Sequence, residues 1–511
     1  MLRPQRLVKK QNAEVQSVPA PVGGWNARDS LANMEITDAV QLENMFPTVN
    51  SVEIRGGHSS WATGLGSQVE SLFTYAGGAT SKLFAAAGTS IWDVTSSGAV
   101  GAASLTGLTN ARWGHVNVST TGGNYVYIVN GVDSARAFDG TVWSTPAITV
   151  ATSSTFSQVE LFKNRLWFIQ KNTLKAWYLP TSAISGAAAS LDLSSVARKG
   201  GYLVAVATWT LDAGYGVDDN LVFVTSEGEV IVYRGTDPAS AATWALTGLW
   251  QLGAPIGTRC VYKYAGDVLI LTYDGLFPLA SALQSSRLDP RVALSDKIQG
   301  AMAAATYAYS STFGWDITYS SKDNALWVNV PVAVGSQQQY VMNSITKAWC
   351  QFTGWAANCH EVFSNTPYFG GNGAVYKSWT ADHTDNAAAI QTNTIQAFNY
   401  FGTRGTKKQF TRVRPTLLTD GIPSTFIGMN VDFDLSDTTA ALTFSPGTTA
   451  LWDTSLWDVA VWGAGLAVNN GWQGIAGIGT CGGIHLKTSS QGMNIQWPAT
   501  DVVYQSGWPG V

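Results

Sequence analysis

The chain has 511 residues and a net charge of −4, with only 13% charged side chains against 45% hydrophobic ones. That much apolar surface excludes an intrinsically disordered chain. So few bases also leave no broad cationic surface of the kind that grips nucleic acid through its phosphates. The 52 glycines and the 21 Trp, 18 Tyr and 19 Phe suit short strands joined by tight turns, and the length suits two or three domains.

Residues 1–20 form a polar arm whose first ten positions carry Arg3, Arg6, Lys9 and Lys10 and no acid. They lack the apolar core of a signal peptide. Gly23-Gly24-Trp25-Asn26 follows, then Thr37-Asp38-Ala39-Val40-Gln41-Leu42-Glu43-Asn44-Met45-Phe46-Pro47. Thr37 as cap, Asp38 in the first turn and Pro47 as stop predict a short helix here. Val49 to Arg55 alternates into a strand, closed by Gly56-Gly57. This entry segment, residues 1–65, precedes a repeat and breaks its period.

The repeat, residues 66–385, is a hairpin: an apolar strand, a polar turn, then a strand ending in an aromatic or apolar residue. Its copies begin at residues 83, 125, 166, 221, 268, 326 and 368, at steps of 42, 41, 55, 47, 58 and 42. Steps of roughly 40–50 residues are the spacing of four-stranded propeller blades. Seven hairpins predict a β-propeller of six to eight blades. Asp139-Gly140, Glu227-Gly228 and Asp274-Gly275 supply turn residues that tolerate positive φ. Further short strands, Thr312 to Tyr319 and Ala348 to Phe352 among them, supply the remaining strands, and Ala183–Ser190 is expected to be a loop insertion.

From residue 386 the pattern changes. Ile390 to Phe401, Phe410 to Leu418, Phe426 to Leu435 and Ile484 to Lys487 alternate apolar and polar residues. They predict an antiparallel β-sandwich or platform over residues 386–511, so the fold class is all-β. Between Phe401 and Arg414 stand Arg404, Lys407, Lys408, Arg412 and Arg414 with no acid. After Arg414 the only base is Lys487, against seven aspartates. A basic strip beside an acidic domain can orient a docking partner. Arg3, Arg6, Lys9, Lys10, Arg404, Lys407, Lys408, Arg412 and Arg414 are therefore the candidate interface residues. The tryptophans at 452, 457, 462, 472 and 497 are further candidates for contact surfaces.

Catalytic motifs are sparse. Gly477-Ile478-Gly479-Thr480-Cys481-Gly482 has the G-x-G-x-x-G form, but a strand-like Ile484-His485-Leu486-Lys487 follows where a dinucleotide site requires a helix. There is no Walker-type lysine loop and no G-x-S-x-G elbow. His58, His115, His360, His383 and His485 stand apart, without zinc spacing. Cys260, Cys350, Cys359 and Cys481 show no CxxC pairing, so they are expected as buried free thiols. Glu160, Asp212, Asp218, Asp219 and Glu229 could supply the two facing carboxylates of a glycosidase. Phe138-Asp139-Gly140-Thr141-Val142-Trp143 is faintly similar to the sialidase Asp-box, itself a structural motif. No enzyme activity, cofactor or metal is expected. No apolar run reaches the ~18–20 residues that span a bilayer, so a soluble protein made in a cytoplasm is expected.

The non-repeating flanks carry a family resemblance. Gly24-Trp25-Asn26, Asp38-Ala39, Leu42-Glu43-Asn44-Met45-Phe46-Pro47 and Arg55-Gly56-Gly57 lie at one end. Phe398-Asn399-Tyr400-Phe401-Gly402, Lys408-Gln409-Phe410-Thr411-Arg412-Val413-Arg414-Pro415, Asp432-Phe433-Asp434, Trp452-Asp453, Trp457-Asp458, Trp462-Gly463 and Trp497-Pro498-Ala499-Thr500-Asp501-Val502-Val503-Tyr504 lie at the other. Together they resemble the tail nozzle (tail tubular B-like, portal-proximal hub) proteins of short-tailed bacteriophages. The resemblance implies a virion structural protein, made in the host bacterial cytoplasm and assembled as a homohexamer below portal and adaptor rings. It would contact tail fibres or spikes and surround the channel through which DNA leaves. The alternative is a β-propeller receptor-binding or glycan-degrading phage tail protein; a third reading is a cellular propeller scaffold.

Overall fold

A computed structural model describes residues 13–78, 80–212, 217–283, 290–333, 335–444 and 466–507. Contacts divide the chain into two compact units. One holds residues 58–341 and 354–379; the other holds 1–57, 342–353 and 380–511.

The first unit is built from antiparallel sheets. All seven hairpins read from the sequence are present: Ser81–Ala87 with Ser90–Asp93, Gly123–Val129 with Arg136–Phe138, Arg165–Gln170 with Lys175–Tyr178, and Val217–Thr225 with Glu229–Gly235. Asp267–Thr272 with Gly275–Pro278, Ala325–Ala333 with Ser336–Asn343, and Thr366–Gly370 with Asn372–Thr380 complete the set. The turn glycines sit where the sequence requires them: Gly140, Gly228 and Gly275 have φ of 102°, 78° and 134°, values only glycine adopts without strain. Each hairpin is preceded by one more strand. Gly57–Ala76, Gly114–Thr120, Phe156–Phe162, Leu203–Asp212, Val261–Tyr264, Asp316–Ser320 and Cys359–Phe363 fill that place.

These first strands close a circle. From Gly114–Thr120 to Cys359–Phe363 each packs against the next in chain order. At the seam the Val69 N–H donates to Gly371 O (2.9 Å) and the Cys359 thiol to Val69 O (3.6 Å). On the other side Ser71 Oγ donates to Ala111 O (2.6 Å) and accepts from the Trp113 N–H (2.8 Å). The long Gly57–Ala76 strand pairs with Ser81–Ala87 from the first hairpin and also with Asn372–Thr380 from the last. The chain's own beginning thus closes its end, which removes an open sheet edge. The cores lie between neighbouring sheets. One gathers Phe73, Phe84, Trp113, Val126 and Phe138; another holds Trp167, Tyr178, Phe223, Tyr233 and Trp244. The Trp244 ring stacks on Trp167 and on Tyr233, with centroids 5.4 Å apart in each case. This is a β-propeller-like arrangement.

Two departures from expectation arise here. Gly186–Ala187 forms a short parallel pairing with Ile148–Thr149 and Ala189–Asp192 is a strand beside Lys175–Tyr178, so only residues 183–185 of the expected loop insertion, with Ala188 between the two strands, stay outside strands. Residues 38–47 form the strands Asp38–Glu43 and Met45–Pro47, not a helix. Their backbone is claimed by pairing with Ala388–Gln396 and Val52–Ile54, and tertiary pairing outweighs a weak local helix signal.

That pairing defines the second unit. Glu14–Pro19 lies antiparallel to Ile495–Ser506, which also takes Val52–Ile54 on the same side and Lys408–Thr419 on the other. A further sheet joins Asp38–Glu43, Ala388–Gln396, Gly482–Ser490 and Ser424–Val431 in that order. The entry segment and the C-terminal region, read from sequence as separate domains 1–65 and 386–511, therefore fold as one body.

Arg55 ties it together. Its side chain is fully buried, and both terminal nitrogens donate to the Asp385 carboxylate, at 2.6 and 2.8 Å. Nε donates to Asn44 Oδ1 (2.8 Å), Nη1 to Gly56 O and Nη2 to Thr353 O. The guanidinium also lies 5.7 Å from the Phe352 ring centroid. A buried guanidinium costs desolvation that only a full set of acceptors offsets. Gly57 follows because a Cβ there would collide with the Thr384 carbonyl. Replacing Arg55 with Met is expected to destabilise this unit by about 3–5 kcal/mol, the usual cost of removing one partner from a buried pair. Denaturant unfolding measures it; a loss below about 1 kcal/mol would show that the pair acts like a surface salt bridge.

Candidate functional site

The first strands of the propeller-like unit carry a polar cluster contributed by several sheets. Glu361 comes from Cys359–Phe363, His115 from Gly114–Thr120, and Asp316 from the start of Asp316–Ser320. Arg259 precedes Val261–Tyr264, and Tyr262 lies on it. His115 Nε2 stands 3.5 Å from Glu361 Oε2. The Asp316 carboxylate accepts the backbone N–H groups of His360 (3.2 Å) and Ile317 (2.9 Å). Tyr262 Oη accepts from the Tyr319 N–H at 3.2 Å. Beside this set, Arg112 and Arg259 both lie against the Phe313 ring, at 4.1 and 5.3 Å from its centroid. Arg112 pairs with the Glu70 carboxylate at 3.0 Å, while Arg259 donates to Glu70 O and Ser71 Oγ, each at 2.7 Å.

Burial sets the protonation of the cluster. It pushes the Glu361 carboxyl up to about 8, with the neighbouring Asp316 charge adding to the rise. It pulls His115 down to about 4 and His360 to about 3, each helped by the Arg259 charge. Asp316 is raised for the same reason. Between pH about 4 and 8 the Glu361–His115 pair therefore holds one proton, on the carboxyl. Such a carboxyl can donate a hydrogen bond or a proton at neutral pH. His360 is different: its ring lies 5.7 Å from Trp327 and 6.2 Å from Phe369, in an aromatic core. Glu361 carries no local signature in the sequence, because its environment is assembled by residues 45 to 246 positions away in chain order.

The carboxylates singled out from the sequence do not form a facing pair among the described residues. Glu160 is 2.7 Å from Lys263 Nζ, and Asp219 2.6 Å from Lys163 Nζ. Glu229 is buried and caps the backbone N–H groups of Arg198 and Lys199. The side chains of Asp212 and Asp218 lie outside the described residues. Asp139 accepts from the Thr141 and Val142 N–H groups (both 2.8 Å) and from the Thr141 hydroxyl, so its box-like segment is a structural turn. The glycines of the G-x-G-x-x-G segment lie in the strands Gln473–Gly479 and Gly482–Ser490, and a Cβ on Gly477 or Gly479 would press on Val431. All four cysteines are free and buried; burial pushes the Cys260 and Cys359 thiols up to about 12. Among the described residues no three His, Cys, Asp or Glu side chains are grouped to hold a metal, and no helix is long and apolar enough to cross a membrane.

The candidate interface residues separate. Arg3, Arg6, Lys9 and Lys10 lie outside the described residues. Lys408 is fully buried, and its ammonium donates to the carbonyls of Thr403, Thr406 and Thr480. It is a structural bolt and not a surface contact; Lys408 and Phe410 point inward, and the register shift between Phe410 and Arg412 turns Arg412 outward. Arg414 pairs with Asp501 at 2.6 Å and lies 4.7 Å from the Trp472 ring centroid. Arg404 donates to Ala32 O and Asn33 Oδ1 and covers Tyr400. Arg404, Lys407 and Arg412 remain exposed. Of the expected contact tryptophans, Trp497 is fully buried and Trp472 is exposed; Trp452, Trp457 and Trp462 lie outside the described residues.

No protein-family profile and no curated protein sequence matches the chain. Among solved structures it is similar to BBS1N, seen in complex with ARL6DN, at 10% identity and a TM-score of 0.41, over 64% of this chain and 98% of that one. It is also similar to the beta-propeller domain of Cps50 (Swd1) from Myceliophteria thermophila, at 12% identity and a TM-score of 0.38, over 64% and 98%.

The titrations bear on stability with opposite signs. The folded state holds the Glu361 proton up to about pH 8, whereas an unfolded chain releases it near 4.5, so this contribution is lost as pH rises through that window. The unfolded chain protonates His115 and His360 below 6.5, but the folded state resists until about 4 and about 3, so stability is also lost as pH falls below 6.5. The midpoint of thermal unfolding is expected to peak between about pH 5 and 7. Glu361→Gln is expected to keep its midpoint as pH is raised to 8 while the parent protein loses stability. Parallel curves for the two proteins would refute the assignment.

Proposed function

We propose that the chain is a non-catalytic structural protein of the tail-nozzle type, which assembles into a ring or tube around an exit path for DNA. On this reading the propeller, of six to eight blades, is a rigid wall element. The unit formed by the two chain ends is the docking platform toward neighbouring copies, adaptor rings and fibres or spikes. One observation carries the reading. Among the described residues, several of the flank residues that resemble the nozzle family are packing residues of a single body. Asn44, Arg55, Phe398, Phe410, Trp497 and Tyr504 are all buried in it, and Gly24 and Gly57 are each pressed too closely by backbone to accept a side chain. Residues so far apart in sequence share a pattern because they share a core.

A second reading keeps a glycan-acting tail protein in view, on a different observation. A carboxyl held protonated at neutral pH, as Glu361 is, has the property a glycosidase acid requires. Mass photometry with negative-stain imaging of the purified full chain separates the two. Sixfold rings with no release of reducing sugar from host polysaccharide are the expected result. A monomer or trimer that releases sugar, and stops when Glu361 is replaced by Gln, would overturn the structural reading.

A further inference from the structure

The unit built from the chain ends exposes two unlike patches that complement each other. The first is the outer face of the sheet formed by Glu14–Pro19, Ile495–Ser506, Lys408–Thr419 and Ala467–Asn470. Beyond the register shift at Phe410/Arg412, alternation along residues 412–419 turns Val413 and Leu417 inward and leaves Arg412, Arg414 and Leu418 toward solvent. Register places Val468 beside Leu418, and Val15 and Val503 in line with Arg412. Trp472 and Val468 are 41% and 58% exposed, large values for apolar side chains that share one face. Asp501 neutralises Arg414 at 2.6 Å, whereas Arg412 is exposed with no carboxylate partner among the described residues. The face is therefore apolar with a residual positive charge.

The second patch is the turn after Ser424–Val431. It presents Asp434-Leu435-Ser436-Asp437, with Leu435 48% exposed between two acids. The turn is preformed: the Asp434 carboxylate accepts from the Ser436 N–H (3.0 Å) and hydroxyl (2.7 Å), and Asp437 is anchored on Lys487 at 2.7 Å. An apolar knob flanked by fixed negative charges matches an apolar face with an unpaired guanidinium. A chain that carries both halves of such a match on one body has the means to bind another copy of itself.

We propose that the Asp434–Asp437 turn of one copy docks on the Arg412–Trp472 face of a second copy, with Leu435 against Trp472 and Val468 and Asp434 paired to Arg412. This rests on the ring-forming reading and supplies its subunit contact. Fixed geometry on both sides limits the ordering cost of association, and the unpaired cation gives the contact its orientation.

Charge exchange tests the proposal. The full chain and its Arg412→Glu, Asp434→Arg and combined Arg412→Glu/Asp434→Arg forms are compared by mass photometry over a concentration series. Thermal unfolding of each form verifies that it folds. Each single reversal is expected to weaken self-association at least tenfold, and the combined form to recover most of it, because the pair is restored with exchanged signs. Leu435→Ser is expected to weaken association without rescue by charge. Rings that form equally well in all variants would overturn this contact and leave the ring reading standing. Charge-dependent dimers without rings would support the contact and remove the nozzle reading. A parent protein that stays monomeric throughout the series would overturn both.

Discussion

The buried Arg55–Asp385 pair is the constraint on which one of the two units depends. Five acceptors from Asn44, Gly56, Thr353 and Asp385 converge on one guanidinium with no exposed side-chain surface. They come from the entry segment, from the 342–353 excursion and from the start of the C-terminal region. A charge in such a place is tolerated only if every donor is answered. The three segments must therefore arrive together, and Gly57 must leave room for the Thr384 carbonyl beside them. The strand pairings of Glu14–Pro19, Asp38–Glu43 and Val52–Ile54 with residues beyond 388 belong to the same closure.

The other unit obeys a different rule. Its cores lie between successive sheets, each a small aromatic and aliphatic cluster shared by neighbours in chain order. Such an assembly grows by addition and needs closure only once, at the Gly57–Ala76 strand. The polar side chains of the first strands are then confined together. Their protonation follows from that confinement: a carboxyl that keeps its proton and imidazoles that refuse one. On the reading proposed above, this repeat is the wall element, and the flanking unit, which exposes Arg412, Val468, Trp472 and Leu435, is the surface on which partners act.

The hairpins were legible because each depends on neighbours within about a dozen residues: alternation sets the strands, and Asp139-Gly140 or Glu227-Gly228 sets the turn. What was not legible depends on distant partners. The 38–47 segment has the caps of a helix, yet residues near 390 claim its backbone as strand. Residues 183–190 look like a flexible insertion, yet Ile148–Thr149 pairs with Gly186–Ala187 and Lys175–Tyr178 offers an edge to the strand that begins at Ala189. Lys408 sits in a run of bases that suggests a surface, and only the register of its strand turns it inward. Glu361 looks like any strand carboxylate until His115, Arg259 and Asp316 are brought beside it. The exposed Arg404, Lys407 and Arg412 remain from the basic strip as its surface part.

The central claim is that both chain ends build the body through which copies of this protein meet. Single-particle electron microscopy of the purified full-length assembly tests it most directly. The account requires a closed ring whose subunit boundaries run over the strands of residues 408–419 and 467–470 and the turn at 434–437. Dispersed single copies, or a ring whose boundaries are formed solely by residues 58–341, would contradict it.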